Sequence, residues 1–208
     1  MLKPYMADNP IAQQQEAAHA QEQVAEQVAA VLRGEHAQFQ PLIEAHQQPI
    51  FGYLYRLLNR DRDAAQDLTQ TVFLKAFQGL ASFDTRRPLR PWLYRIAHNE
   101  AANYLRGRSR AGEVPIEEQT LHTLHDPNGL SPEEEMTGDS ERRMVLDALA
   151  TLPPDYRDVL VLHFFEDKSY AEIAEIRGSN TNSVGTLIRR GKERLRTMLE
   201  GLEGQHDA

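Results

Sequence analysis

The stretch from Leu152 to Leu199 constrains this chain more than any other, because it reads as a helix-turn-helix in register. Tyr156 to Phe165 carries a dense apolar face of Val159, Leu160, Leu162, Phe164 and Phe165. After an Asp167-Lys168 break, Ser169-Tyr170-Ala171-Glu172 has the form of a capping box: the serine caps a backbone N–H and Glu172 reaches back. Ala171, Ile173, Ala174 and Ile176 are small or branched and suit close helix packing. Gly178 allows a sharp turn, and Asn180 to Ser183 supply polar caps for a last helix. That helix carries Val184, Leu187, Ile188, Leu195 and Leu199 inward and Arg189, Arg190, Lys192, Arg194 and Arg196 outward. A short helix, a tight turn and a polar-led basic helix is the layout that sets side chains in a DNA major groove.

A second patterned segment lies upstream. Asp63 to Phe77 forms one amphipathic helix, followed by Ser82-Phe83-Asp84 and a loop rich in arginine and proline (Arg86, Arg87, Pro88, Arg90, Pro91). Trp92-Leu93-Tyr94-Arg95-Ile96-Ala97-His98-Asn99 comes next. Single-stranded DNA is held by basic grooves and by planar side chains on which bases stack. On a helix, Arg95, Asn99 and Asn103 recur every four residues and share a face. Asparagine can read a base edge and arginine can neutralise a phosphate. Trp92 also reads as a core aromatic, so the surrounding arginines and asparagines carry the expected contacts.

The rest of the chain is helical in pattern. Val24, Val28, Val31 and Leu32 make a thin apolar stripe within residues 11–33, and Gly34 ends it. A stripe so thin packs on something or frays: the candidates are the first domain, a regulatory partner or nothing at all, and docking onto the first domain is placed ahead because Gly34 leaves only a short tether. Phe39, Leu42, Ile43, Ile50, Phe51, Leu54, Leu57 and Leu58 mark helices of that domain, with Pro49 expected near a helix start. Asn59 to Arg62 is a polar turn. No alternating strand pattern occurs, which predicts an all-α fold of two small helical domains. Between them Gly112 to Ser131 is acidic and punctuated by Pro115, Pro127 and Gly129, a flexible linker in prospect. A short helix could start at Ser131-Pro132-Glu133.

Charge and composition narrow the function. The 208 residues carry a net charge of −8, yet the positive charge is clustered. Arg86, Arg87, Arg90, Arg95, Arg106, Arg108 and Arg110 form one group, and Arg189 to Arg196 another. Acid gathers between them, at Glu113, Glu117, Glu118, Asp126, Glu133, Glu134, Glu135, Asp139 and Glu141. Phosphate affinity follows local basic surfaces rather than the total, so two basic faces on an acidic chain remain compatible with DNA. Cysteine is absent, which removes disulfides, thiolate–zinc sites and thiol chemistry. The eight histidines are scattered, no phosphate-binding glycine loop occurs, and Asp61 and Asp63 fit helix capping better than a metal pair. No enzyme activity, metal or cofactor is expected. The first residues lack the apolar core of a signal peptide and no run reaches membrane-spanning length, so the expected location is the cytoplasm.

Taken together, the two segments closely resemble the extracytoplasmic-function (ECF) class of bacterial RNA polymerase sigma factors. The Asp67-Leu68-x-Gln70-x-x-Phe73 pattern resembles the family's polymerase-binding helix. Phe83-Asp84, Trp92-Leu93 and Ile96-Ala97-x-Asn99 resemble its promoter-melting segment, and Leu152-Pro153, Tyr156-Arg157 and Ser169-Tyr170 its second conserved domain. The resemblance implies region 2 over residues 35–110, a linker over 111–140, region 4 over 141–200 and a tail over 201–208. Residues 1–34 stand outside it as an N-terminal extension. It implies core RNA polymerase and promoter DNA as partners, and admits an anti-sigma factor. Polymerase contact would fall to Asp67, Leu68, Gln70, Thr71 and Phe73. Contact with the −10 element would fall to Arg86, Arg87, Arg90, Trp92, Arg95, His98, Asn99, Asn103 and Arg106, with a flipped base held by the Ser82–Leu89 loop. In the last helix the pattern departs from the family: Gly185 and Leu187 stand where basic residues are frequent. Readout of the −35 element would then rest on Asn180, Thr181, Asn182, Ser183 and Thr186, with Arg189, Arg190 and Lys192 on phosphates. The alternative is a free-standing helix-turn-helix regulator, which needs neither the Asp67 helix nor the Trp92 segment. A helical interaction protein without DNA binding is disfavoured by the two basic clusters.

Overall fold

Asp61 starts the third helix by accepting a hydrogen bond from the Ala64 backbone N–H at 3.0 Å, and Ser169 and Asn180 cap two later helices in the same way. The computed structural model describes residues 10–110 and 140–206. In chain order the helices are α1 (Pro10–Leu32), α2 (Gln40–Leu57), α3 (Arg62–Gly79), α4 (Leu89–Arg110), α5 (Ser140–Thr151), α6 (Pro154–Phe164), α7 (Tyr170–Arg177) and α8 (Thr181–His206). Short 3-10 turns at His36–Phe39 and Leu80–Ser82 join them. No strand occurs among the described residues. The expected acidic linker and the helix at Ser131 lie outside the described residues.

The first unit packs α2, α3 and α4 around Leu54, Ala65, Val72, Ala76, Leu93 and Ala97, all buried. The small residues let the helices approach closely. α1 joins this core through Val28 and Val31, which are 1% and 4% exposed, and docks against both 3-10 turns. Asn59 and Arg60 adopt left-handed backbone, with φ of 57° and 63°, to turn the chain from α2 into α3.

Pro49 corrects one expectation. It lies inside α2 rather than near a helix start. Its missing N–H deprives the Ala45 carbonyl of its helical partner, a cost of about 3 kcal/mol in an isolated helix. Burial of Leu42, Ile50, Tyr53 and Leu54 on both sides of the break outweighs that cost and carries the helix through.

The second unit is the helix-turn-helix. Ser169 Oγ accepts from the Glu172 N–H, and Glu172 Oε2 accepts from the Ser169 N–H at 2.9 Å, closing the capping box at the start of α7. Gly178 ends that helix in left-handed conformation, φ 62°. Ile173, Ile176, Val184 and Ile188 bury themselves between α7 and α8, against Val159 to Leu162 of α6. Gly191 permits the close approach of α8 to α6: a Cβ there would stand 3.2 Å from Leu160 Cδ1. Phe164 departs from the expected apolar face. It is 52% exposed, with the Lys192 ammonium 5.6 Å above its ring, while Phe165 turns inward.

Candidate nucleic-acid interface

In the first unit, α4 presents a polar ridge. Its buried side is set by Leu89, Leu93, Tyr94, Ala97 and Ala101, which leaves Arg95, Asn99, Asn103 and Arg106 exposed along the opposite side. Arg106 donates to Asn103 Oδ1 at 2.7 Å, fixing that amide's orientation. Trp92 is half-buried, its ring 4.9 Å from that of Phe83. The indole therefore shapes the loop that precedes α4 from beneath. Tyr94, which follows the same segment, is fully buried and is no platform for stacking.

The loop from Ser82 to Leu89 is tightly organised. Asp84 accepts two hydrogen bonds from the Arg86 guanidinium, at 2.8 and 2.9 Å, and one from the Arg86 backbone N–H. These bonds hold the Asp84 carboxyl down to about 2. The Arg87 N–H closes the turn onto the Asp84 carbonyl at 2.9 Å.

Three of the sequence-selected residues are held by the second unit. Arg87 pairs with Glu175 at 2.6 Å, Arg90 lies 3.7 Å from Glu166, and His98 Nδ1 lies 3.1 Å from Asp158. These contacts belong to a polar seam between the units, set within a hydrophobic core that is continuous across both. The buried Tyr53 hydroxyl donates to Asp158 at 2.6 Å, and the Tyr94 hydroxyl donates to Glu166. The two tyrosine rings touch, 5.4 Å between centroids. Arg177 braces Asp158 from within the second unit, and Arg56 approaches Glu166 at 3.4 Å. Arg60 pairs with Asp147.

The two carboxyls respond differently to burial. Desolvation alone would push Asp158 up, but His98, Arg177 and the Tyr53 hydrogen bond outweigh it and hold the carboxyl below its ordinary value. Desolvation wins at Glu166, which is raised in spite of Tyr94, Arg56, Arg90 and Lys168. Arg157, only 4% exposed, donates to the carbonyls of Leu149, Ala150 and Leu152 and across the seam to Leu57, at 2.7 to 3.0 Å. The guanidinium thus caps the C-terminal end of α5, whose last carbonyls have no partner within the helix.

Sequence reasoning missed this seam. A signal was present: Arg157 and Asp158 stand directly before the apolar run Val159 to Leu162, one turn into the same helix, and buried charges need partners. Which partners could not be read from the pattern.

On α3, Asp67 and Gln70 are exposed and Thr71 half-buried, with its hydroxyl bonded to the Asp67 carbonyl at 2.9 Å. Phe73 is 6% exposed and Leu68 half-buried, so these two place the helix and the polar residues form its outer face. Two exposed apolar residues on the same helix escaped the sequence reading, Leu74 and Phe77. With Phe39, Ile43, Gln47 and Gln70 they line an open groove of about 380 Å³.

At the start of α8, Thr181, Asn182, Ser183 and Thr186 are exposed. Asn180 is occupied otherwise: its Oδ1 accepts from the Ser183 N–H at 2.8 Å, so it caps the helix and its acceptor is spent there. Thr186 donates to the Asn182 carbonyl. Arg189 and Arg190 are exposed, with Arg189 paired to Glu193 at 2.8 Å, while Lys192 and Arg194 lie over the rings of Phe164 and Tyr156. Among the described residues no group of histidines and carboxylates could hold a metal ion, and no helix is long and apolar enough to cross a membrane.

Two family models match the chain. The family model for sigma-70 region 2 matches residues 42–111, and that for sigma-70 region 4 matches residues 142–195. The RNA polymerase sigma-H factor of Pseudomonas aeruginosa is 34% identical over 189 residues, covering 88% of this chain and 96% of the relative. That share is more than residues 35–208 can supply, so the similarity reaches into the N-terminal segment that the motifs left outside. The ECF RNA polymerase sigma-E factor of Haemophilus influenzae is 31% identical, covering 84% of this chain and 94% of its own. Among solved structures, the sigma factor RpoE of Bartonella quintana, crystallised with the anti-sigma factor NepR, has the same fold. Its TM-score is 0.62 at 24% identity, over 78% of this chain and 96% of that one.

Proposed function

The chain belongs to the ECF class of sigma-70-family RNA polymerase sigma factors, a transcription initiation subunit, and from that premise we propose how its surfaces divide the work. The outer face of α3, Asp67 and Gln70 with the Leu74–Phe77 groove beside them, receives core RNA polymerase. The α4 ridge of Arg95, Asn99, Asn103 and Arg106 takes the single strand of the −10 element. The exposed start of α8 reads the −35 duplex through Thr181, Asn182 and Ser183, with Arg189 and Arg190 on phosphates. The protein performs no chemistry of its own and acts in the bacterial cytoplasm, where polymerase and promoters are. An anti-sigma factor is a further proposed partner, supported by the complex in which the RpoE neighbour was crystallised.

One observation carries this reading. Two polar ridges, one on each matched region, are left exposed by helices whose other sides are fully used in the core. The polar seam adds a condition. Arg87 and Arg90 are tied to Glu175 and Glu166 while staying open to solvent, and His98, 17% exposed, is tied to Asp158, so full use of all three on phosphates requires the units to separate. A charged seam suits separation because water compensates its groups once they part.

The direct test is run-off transcription with core polymerase on a promoter library, where the protein is expected to confer initiation at a defined pair of elements. Transcription indistinguishable from core enzyme alone would overturn the proposal. Asp67→Ala combined with Gln70→Ala is expected to weaken core-enzyme pull-down at least several-fold with unchanged helical content; wild-type pull-down would remove the α3 assignment. Arg95→Ala with Asn99→Ala should abolish most permanganate reactivity at the −10 element while leaving duplex −35 binding intact. Arg189→Ala with Arg190→Ala should weaken that duplex binding and lower its salt slope by roughly one unit per lost phosphate contact. The same defect from both pairs would contradict the division.

A further inference from the structure

Gln21 stands on the buried side of α1, at the head of the stripe Val24, Val28 and Val31. Val28 lies seven positions further on, so the two share a helix face, and an apolar residue would be expected there. Instead its side-chain amide donates two hydrogen bonds into the Ser82–Leu89 loop, to the Thr85 carbonyl at 2.6 Å and the Arg87 carbonyl at 2.8 Å. A primary amide has two N–H donors, and here each takes one carbonyl of a single turn, the turn closed by the Arg87 N–H on the Asp84 carbonyl. Loop carbonyls two residues apart are thereby locked to a helix anchored in the core by Val28 and Val31.

We propose that Gln21 is a positioning residue for promoter selection: it sets the conformation of the 84–87 turn, and through it which −10 base the loop accepts. The inference rests on the proposed role of the Ser82–Leu89 loop in holding a −10 base. Other constraints on the turn are local, from Asp84 to Arg86, or depend on the second unit, through Arg87 and Glu175. Once the units separate the Arg87–Glu175 pair is gone, and in that open protein Gln21 ties the carbonyls of the turn itself to the folded core, beside the Phe83–Trp92 contact that precedes the turn. The N-terminal segment then belongs to the promoter-reading apparatus.

Gln21→Glu is the sharpest probe. It keeps the size and helix preference of the side chain but sets a carboxylate against two carbonyl oxygens, turning attraction into repulsion. Gln21→Ala removes the bonds without repulsion. Both are to be assayed as full chains with bacterial core RNA polymerase on a promoter library randomised through the −10 element, alongside Asp84→Ala as a direct disturbance of the turn. Expected are a changed base preference at one −10 position and an open-complex yield lowered about tenfold for Gln21→Glu, less for Gln21→Ala. Core-enzyme affinity, −35 duplex binding and melting temperature should stay near wild type. A merely structural role would lower the melting temperature and total yield with the base preference unchanged, and that result overturns the proposal. If Asp84→Ala alters the preference and Gln21→Glu does not, the loop reading stands and the Gln21 inference fails. If none of the three alters it, both fail together.

Discussion

Replacing Arg157 with alanine is expected to destabilise the protein by about 3–5 kcal/mol, because several buried backbone carbonyls are left without a donor together. Four backbone carbonyls would lose their donor at once: Leu149, Ala150 and Leu152 at the end of α5, and Leu57 across the seam. Water cannot replace the guanidinium without opening the core, so the carbonyls would remain unsatisfied, each at about 1–3 kcal/mol before relaxation. Arg157→Lys should recover less than half of the loss. A lysine ammonium is a compact group with three donors and cannot span four carbonyls that a planar fork reaches together. Burial pulls the Arg157 guanidinium down to about 10, so it stays charged at neutral pH and the loss should not depend on pH between 6 and 8. Urea unfolding followed by circular dichroism measures it. A change below about 1 kcal/mol would show that the end of α5 finds other donors.

The second large effect is expected at Asp158. Its carboxylate is held by Tyr53 and His98 of the first unit and by Arg177 of its own, all in a nearly dry setting. Asp158→Ala leaves Arg177, whose side chain is 11% exposed, with only the more exposed Asp155. The loss should again be about 3–5 kcal/mol, shared between the second unit's own stability and the closure of the seam. Tyr53→Phe separates the two, because it removes one hydrogen bond across the seam and leaves the second unit's own Arg177–Asp158 pair intact. Both variants should raise the radius of gyration in solution scattering, and only Asp158→Ala should lower the melting temperature of the second unit strongly. The proposed separation further predicts that Tyr53→Phe speeds promoter capture. An unchanged radius in both variants would mean that the seam is not what holds the units together.

The pH dependence has a definite sign. Because the folded protein depresses Asp158 below its usual 3.8, its contribution is fully present above pH 3.8 and is lost as the pH falls through the depressed folded value. Glu166 works in reverse. Its folded carboxyl is raised, so it favours the folded state most when protonated, and that contribution fades as the pH rises from 4.5 through the raised value. Glu166→Gln, which keeps an acceptor for Tyr94 without the desolvated charge, is accordingly expected to preserve closure or tighten it at neutral pH.

Much of this protein was legible in its residues because the determining interactions are local. The Ser169–Glu172 capping box, the left-handed Gly178, the Asp61 cap and the apolar periodicities of α3, α4, α6 and α8 each depend on residues within a turn or two. The exposure of Arg95, Asn99 and Asn103 follows directly from the buried side of the same helix. Where local preference and burial compete, the residues alone misled: Pro49 was expected at a helix start, yet a core formed on both sides of it keeps α2 intact. The polar partnerships were invisible for a different reason. Tyr53 meets Asp158 across 105 residues, Tyr94 meets Glu166 across 72 and Gln21 reaches Thr85 across 64. Nothing in a side chain's neighbours along the chain encodes such a meeting. Sequence alone determined which residues are helical, which faces are apolar and where basic charge gathers. Only the tertiary structure decided which buried charges find partners, because a polar group in a low-dielectric interior is specified by the geometry that packs around it.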